Sequence, residues 1–154
     1  MNSPVHLEFA DSRWRKLRGL VPRLTLAAER TLRKAKVPRK AALTILLAGD
    51  ETLRELNRDF RGLDKPTNVL SFPAAINDPG YLGDIAIAYG VTASEAKAAG
   101  KRVADHATHL VVHGVLHLLG HDHMRERDAH AMEALEVAIL AGLGIANPYR
   151  AEAA

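Results

Sequence analysis

"HLVVHGVLHLLGHDH", residues 109–123, governs how the rest of the chain must be arranged. It holds five histidines in fifteen positions, and six of the chain's eight histidines lie between His106 and His123. An α-helix turns about 100° per residue, so positions four apart stack on one face. His109, His113 and His117 recur at that interval and therefore point the same way. The apolar residues between them make residues 103 to about 119 one long helix, and Gly120 is a natural end for it. That glycine allows a sharp return, which brings His123 back towards the point shared by His113 and His117. Three neutral imidazoles suit Zn²⁺ and leave a fourth position open for water, as a catalytic zinc requires. Packing does not explain the pattern, because burying three unpaired imidazoles is costly.

The rest of the chain must supply a scaffold for this helix. "VHLEF" alternates apolar and polar residues and reads as a half-buried strand. "DSRWRKLRGL" reads as a charged connection, and Pro22 suits the first turn of a helix running to about Lys36. "ALTILLAG" is a more buried strand. Asp50 reads as the N-cap of the helix "ETLRELNRDF". "RGLDKPT" is a loop, "NVLSF" a third strand closed by Pro73, "AINDPGY" a turn-rich excursion and "GDIAIA" a fourth strand. Thr92 or Ser94 is the expected cap of "SEAKAAG". "RERDAHAMEALEVAILAGLG" is a last amphipathic helix, with Met132, Leu135, Ile139 and Leu143 near one stripe. The order implies an α+β fold. It has a small mixed four-stranded sheet, the third and fourth strands as antiparallel neighbours, and about five helices packed on it. The three-histidine metal site stands at the end of the long central helix. No repeat or linker interrupts it, so residues 1–154 are expected to form one domain.

Bulk properties narrow the function. Hydrophobic residues make up 47% of the 154 positions and charged residues 25%, as in a globular protein. No apolar run approaches the ~20 residues of a membrane span, so no membrane partner is expected. "MNSPVHLEF" does not read as a secretory signal, and a cytoplasmic location is expected. With no cysteine, any metal must be held by histidine or carboxylate. Net charge is +3, but residues 11–40 carry eleven Lys or Arg against Asp11 and Glu29. Such a block is compatible with a phosphate-rich partner, or with a solvated helix face.

The offsets of His113, His117 and His123 also occur in the metzincin peptidases. There a glutamate follows the first histidine as general base, and here Gly114 stands in its place. Glycine takes no proton, so the ligand frame resembles a peptidase while the machinery does not.

"HGVLHLLGHDH" resembles the signature of the YbeY family, H-G-x-L-H-L-x-G-Y-D-H. "LNRDFRGLDKPTNVLSFP" is similar to that family's second block and "LGDIAIA" to its third. "HATHLVV" and the late "NPY" also sit where the family has similar residues. The resemblance spans about residues 41–149. It implies a single-strand-specific endoribonuclease acting in ribosomal RNA maturation, notably at the 3′ end of the small-subunit RNA, and in ribosome quality control. It implies one zinc ion on His113, His117 and His123, a functional arginine at Arg61, and single-stranded ribosomal RNA and the ribosome or its subunits as partners. His121 stands where the family usually has tyrosine and is left out of the ligand set.

For phosphodiester cleavage, zinc would activate water and polarise a phosphoryl oxygen. Arg61 would offer a planar, permanently charged fork, unless it is tied to a carboxylate such as Asp64. No general base is evident; Asp122 or the RNA 2′-hydroxyl remain open. His109 reads as either an orienting neighbour of the metal or a packed imidazole. Asp84 reads as a strand-end residue bonding a turn rather than a partner of a ligand. Lys65 could meet phosphate, Thr67 and Asn68 would cap backbone groups, and Trp14 would stack a base or anchor a chain end. The competing readings are a metzincin-like metallopeptidase and a non-catalytic ribosome-assembly factor with a structural metal.

Overall fold

The computed structural model describes residues 4–37, 41–74, 80–120 and 126–149. Strand β1 (Val5–Phe9) leads through a short 3₁₀ turn (Ser12–Lys16) into helix α1 (Leu20–Lys34). Strand β2 (Ala42–Ala48) follows, then α2 (Asp50–Arg61), β3 (Val69–Pro73) and β4 (Tyr81–Ala88). The chain ends in α3 (Tyr89–Ala98), α4 (Val103–Leu118) and α5 (Glu126–Gly142). This is the α+β arrangement expected, with five α-helices and one mixed sheet among the described residues.

The strands lie in the order β1-β2-β4-β3. β1 and β4 both run parallel to β2, and β3 pairs antiparallel with β4 at the edge. Side chains alternate across the sheet, so β2, β3 and β4 divide their residues between two cores, while β1 turns His6 and Glu8 to solvent. Leu43, Ile45, Leu47, Ile85 and Ile87 face α1, α4 and α5 and are fully buried. Leu46, Leu70, Phe72 and Ala86 face the other way, where α2 supplies Leu53 and Leu56. Burial of each large aliphatic side chain contributes roughly 1.5–3 kcal/mol, so the first face dominates stability and fixes α4 against the sheet.

Several local expectations are corrected. Asp50 is not the cap of α2; Gly49 holds that position without a side-chain hydrogen bond, and Asp50 opens the helix. Its Oδ1 instead accepts from the Val91 N–H at 2.9 Å, tying the start of α2 to the start of α3. Neither Thr92 nor Ser94 caps α3, which begins at Tyr89 after Ala88; Thr92 is buried inside it. The connection around Trp14 is not a plain charged loop. Trp14 is fully buried, donates its indole N–H to the Ala48 carbonyl at 2.8 Å, and meets Tyr89 edge-on. It anchors the chain and is not available to stack a base.

The basic block is partly committed to the fold. Arg13 pairs with Asp11, Arg23 with Asp105, and Arg15 lies over the Phe9 ring. Lys16, Arg18, Arg33, Lys34 and Lys36 are exposed. No helix among the described residues is long and apolar enough to cross a membrane.

Candidate metal centre

Helix α4 is apolar on most of its surface and buries Leu110, Val111, Val112, Val115 and Leu116. The face left over carries the histidines. The His113 and His117 rings have centroids 4.7 Å apart at 67°, and His109 follows at 6.4 Å from His113. The spacing expected from helical periodicity is therefore realised, and two imidazoles stand side by side. Gly120, with φ of 93°, ends the helix in the left-handed region that an L side chain avoids.

His123 lies outside the described residues, as do His121 and Asp122. Among the described residues no group of three His, Cys, Asp or Glu has metal-holding geometry. The residues that are described fit a metal through their chemistry: paired imidazoles, one of them held from behind by a carboxylate.

That carboxylate is Glu136 of α5, a residue that the motifs in the sequence do not single out. Its side chain is 1% exposed. Oε1 lies 2.7 Å from His113 Nδ1, and the Tyr149 hydroxyl donates to Oε2 at 2.5 Å. His109 Nε2 stands 3.4 Å from both Oε1 and the Tyr149 hydroxyl. Burial alone would raise the Glu136 pKa, but donors at His109, His113 and Tyr149 outweigh it and bring it down to about 2. Burial and the neighbouring Glu136 carboxylate push the Tyr149 phenol well above its usual range. A signal for Glu136 does exist in the sequence. It falls four residues after Met132 and four before Leu140, a glutamate on the buried stripe of an amphipathic helix. A cavity of about 300 Å³ opens here, lined by His113, Met132, Glu133, Glu136 and Tyr149 among others.

Gly114 does more than lack a carboxylate. A Cβ there would lie 3.0 Å from Ile85 Cγ2, and 3.2 Å and 3.3 Å from that side chain's Cδ1 and Cγ1. Ser71 Oγ also donates to the Gly114 carbonyl at 3.0 Å. The position where a peptidase carries its base is pressed against the sheet.

Arg61 closes α2 and lines a separate cavity of about 430 Å³ with Asn57, Lys65, Thr67, Asn68 and Glu95. It is not tied to Asp64, which pairs with Arg54. Its guanidinium donates to Asn57 Oδ1 at 3.4 Å, and Asn57 Nδ2 in turn donates to the Lys65 carbonyl at 2.9 Å. Asn68 caps locally, accepting from the Val69 N–H at 2.7 Å, and donates to Glu95 Oε1 at 3.0 Å. The same Glu95 oxygen meets His106 Nε2 at 2.9 Å, and the His106 ring lies 6.0 Å from that of His109. Burial pushes the His106 imidazole below its usual value, against the opposing pull of Glu95. The wall of the Arg61 cavity thus connects to the histidine row. Asp84 does not belong to it. It accepts from the Tyr81 hydroxyl and lines a cavity of about 580 Å³ on the far face of the sheet, beside Phe60 and Phe72.

Known proteins resemble this one closely. The family model described as Endoribonuclease YbeY matches residues 14–144. An Endoribonuclease YbeY of Chelativorans sp. (strain BNC1) is 51% identical over 86% of this chain and 83% of its own length. One from Cereibacter sphaeroides is 44% identical over 97% of this chain and 100% of its own. The solution structure of TM1509 from Thermotoga maritima shares the fold, with a TM-score of 0.59, 22% identity, and 90% of this chain and 91% of that one covered. With a matching family model over most of its length and near-full-length relatives well above chance identity, the chain belongs to the endoribonuclease YbeY family.

Proposed function

We propose that this protein is a zinc-dependent endoribonuclease of the bacterial cytoplasm that cleaves single-stranded RNA. Its substrate is ribosomal RNA, at the 3′ end of the small-subunit species, and its role extends to ribosome quality control. Membership of an endoribonuclease family supports the reaction class. The observation that carries the metal reading is the His113–His117 pair on one face of α4, with His113 braced by buried Glu136.

His113, His117 and His123 would hold the ion. When bound, zinc supplies a Lewis acid for the phosphoryl group and a nucleophile usable at neutral pH. The chain's own residues do the rest. Arg61 offers a charged fork at the mouth of a polar cavity, held by Asn57, and suits a phosphate oxygen. Lys65 adds a second positive charge in that cavity. The exposed cations of the N-terminal third favour a polyanion over a neutral peptide. The peptidase reading loses support at Gly114, which has no side chain to serve as a base and where Ile85 crowds any that replaced it.

Metal analysis and an RNA-cleavage assay on the wild type and His117→Ala, purified in parallel, test the proposal. The wild type is expected to carry one zinc per chain and cleave single-stranded RNA, and the variant to lose both. Equal cleavage by both would sink it. Full rescue of ribosomal RNA maturation in cells by the inactive variant would favour an assembly factor instead.

A further inference from the structure

Glu136 occupies a position with one consistent chemical reading. A carboxylate only accepts hydrogen bonds, so the 2.7 Å contact to His113 requires the proton on Nδ1. A neutral imidazole has one N–H, so Nε2 then keeps the lone pair. The other carboxylate oxygen takes the Tyr149 hydroxyl at 2.5 Å. Both oxygens are therefore engaged, which argues against Glu136 as a direct ligand. Tyr149 is itself set in place, its backbone N–H donating to Asn147 Oδ1 at 2.8 Å and its ring standing edge-on to His109 at 5.7 Å. Three groups from α4 and the C-terminal turn converge on one carboxylate that solvent hardly reaches.

We propose that Glu136 is a positioning residue of the metal centre, taking the Nδ1–H of His113 so that Nε2 is presented to zinc, with Tyr149 and His109 holding the carboxylate in register. Carboxylates placed behind a ligating histidine orient its ring, fix its tautomer and raise its basicity. The inference rests on the zinc reading above, so the test begins with the wild type. Chelator competition on purified protein is expected to give one zinc site; no such site would overturn the zinc reading itself, before any variant is made.

With that site present, Glu136→Gln is expected to raise the zinc Kd about 10- to 100-fold, and Tyr149→Phe to raise it less, in the same direction. Nitrogen NMR of the zinc-free wild type is expected to show His113 protonated at Nδ1. A wild-type Kd in the variants, with only the urea midpoint of the zinc-free protein lowered, would mean a merely structural glutamate and overturn the role. So would an Nε2–H tautomer at His113. Should Glu136→Gln fail to fold, Tyr149→Phe decides: an unchanged Kd there overturns the proposal.

Discussion

Arg61 and Glu136 solve opposite electrostatic problems. Arg61 stands beside an open cavity with the neutral Asn57 amide as a polar partner, while Asp64 is taken by Arg54. Glu136 keeps a charge where water is excluded, and needs a donor on each oxygen to do so. Arg61→Ala is expected to lower RNA cleavage by about 10²–10³-fold, the usual effect of removing one electrostatic stabiliser, while zinc content stays at wild type. Lysine at that position is expected to rescue only partly, having no planar fork; single-turnover cleavage with parallel metal analysis checks both. His113 and His117 are legible in the sequence because helical period alone stacks them. Glu136 is marked only as a glutamate on a buried stripe; its meeting with His113 across 23 residues is not legible, because it is set by how α5 packs on α4. Arg61's freedom from Asp64 is equally hidden, since it depends on which arginine of α2 reaches that carboxylate first.

The helices and strands themselves are legible where hydrophobic period is strong, and poorly so where tertiary contacts set an end. β4 begins two residues before the expected Gly83, and α3 starts at Tyr89 because Asp50 on α2, not a local side chain, receives the Val91 N–H. Asp50→Ala is expected to cost about 1 kcal/mol, the scale of a missing helix cap, read as a lower urea midpoint with zinc affinity unchanged. Gly114→Ala sets two terms against each other. Alanine gains about 1 kcal/mol of helix propensity, but overpacking against Ile85 costs roughly 1–3 kcal/mol. Ile85 is fully buried, and its Cγ1, Cγ2 and Cδ1 all crowd the new methyl. The second term wins, and a net destabilisation of about 1 kcal/mol in chemical denaturation is the expected outcome.

Across the molecule, charge and topology divide the work. The α+β class and the antiparallel β3–β4 edge are visible in the order of elements, and the two separate cores follow from strand alternation. Which side of the sheet receives α4 is not visible there. The exposed Arg33, Lys34 and Lys36 belong to the RNA reading, so replacing all three by glutamine is expected to weaken single-stranded RNA binding. The plot of log affinity against log salt should flatten by about 0.7 for each phosphate that is no longer neutralised, as measured by anisotropy of a labelled RNA. An unchanged slope would place the substrate elsewhere. Parallel strands usually receive ligands at their carboxyl ends. Here Trp14 plugs that rim, its indole on Ala48 at the end of β2 and its ring on Tyr89 just past β4. Trp14→Phe is accordingly expected to lower stability by about 1–3 kcal/mol and to leave zinc affinity intact. Damage near the indole should register as lost stability and damage near Tyr149 as weakened zinc binding, so the two can be told apart by which readout moves.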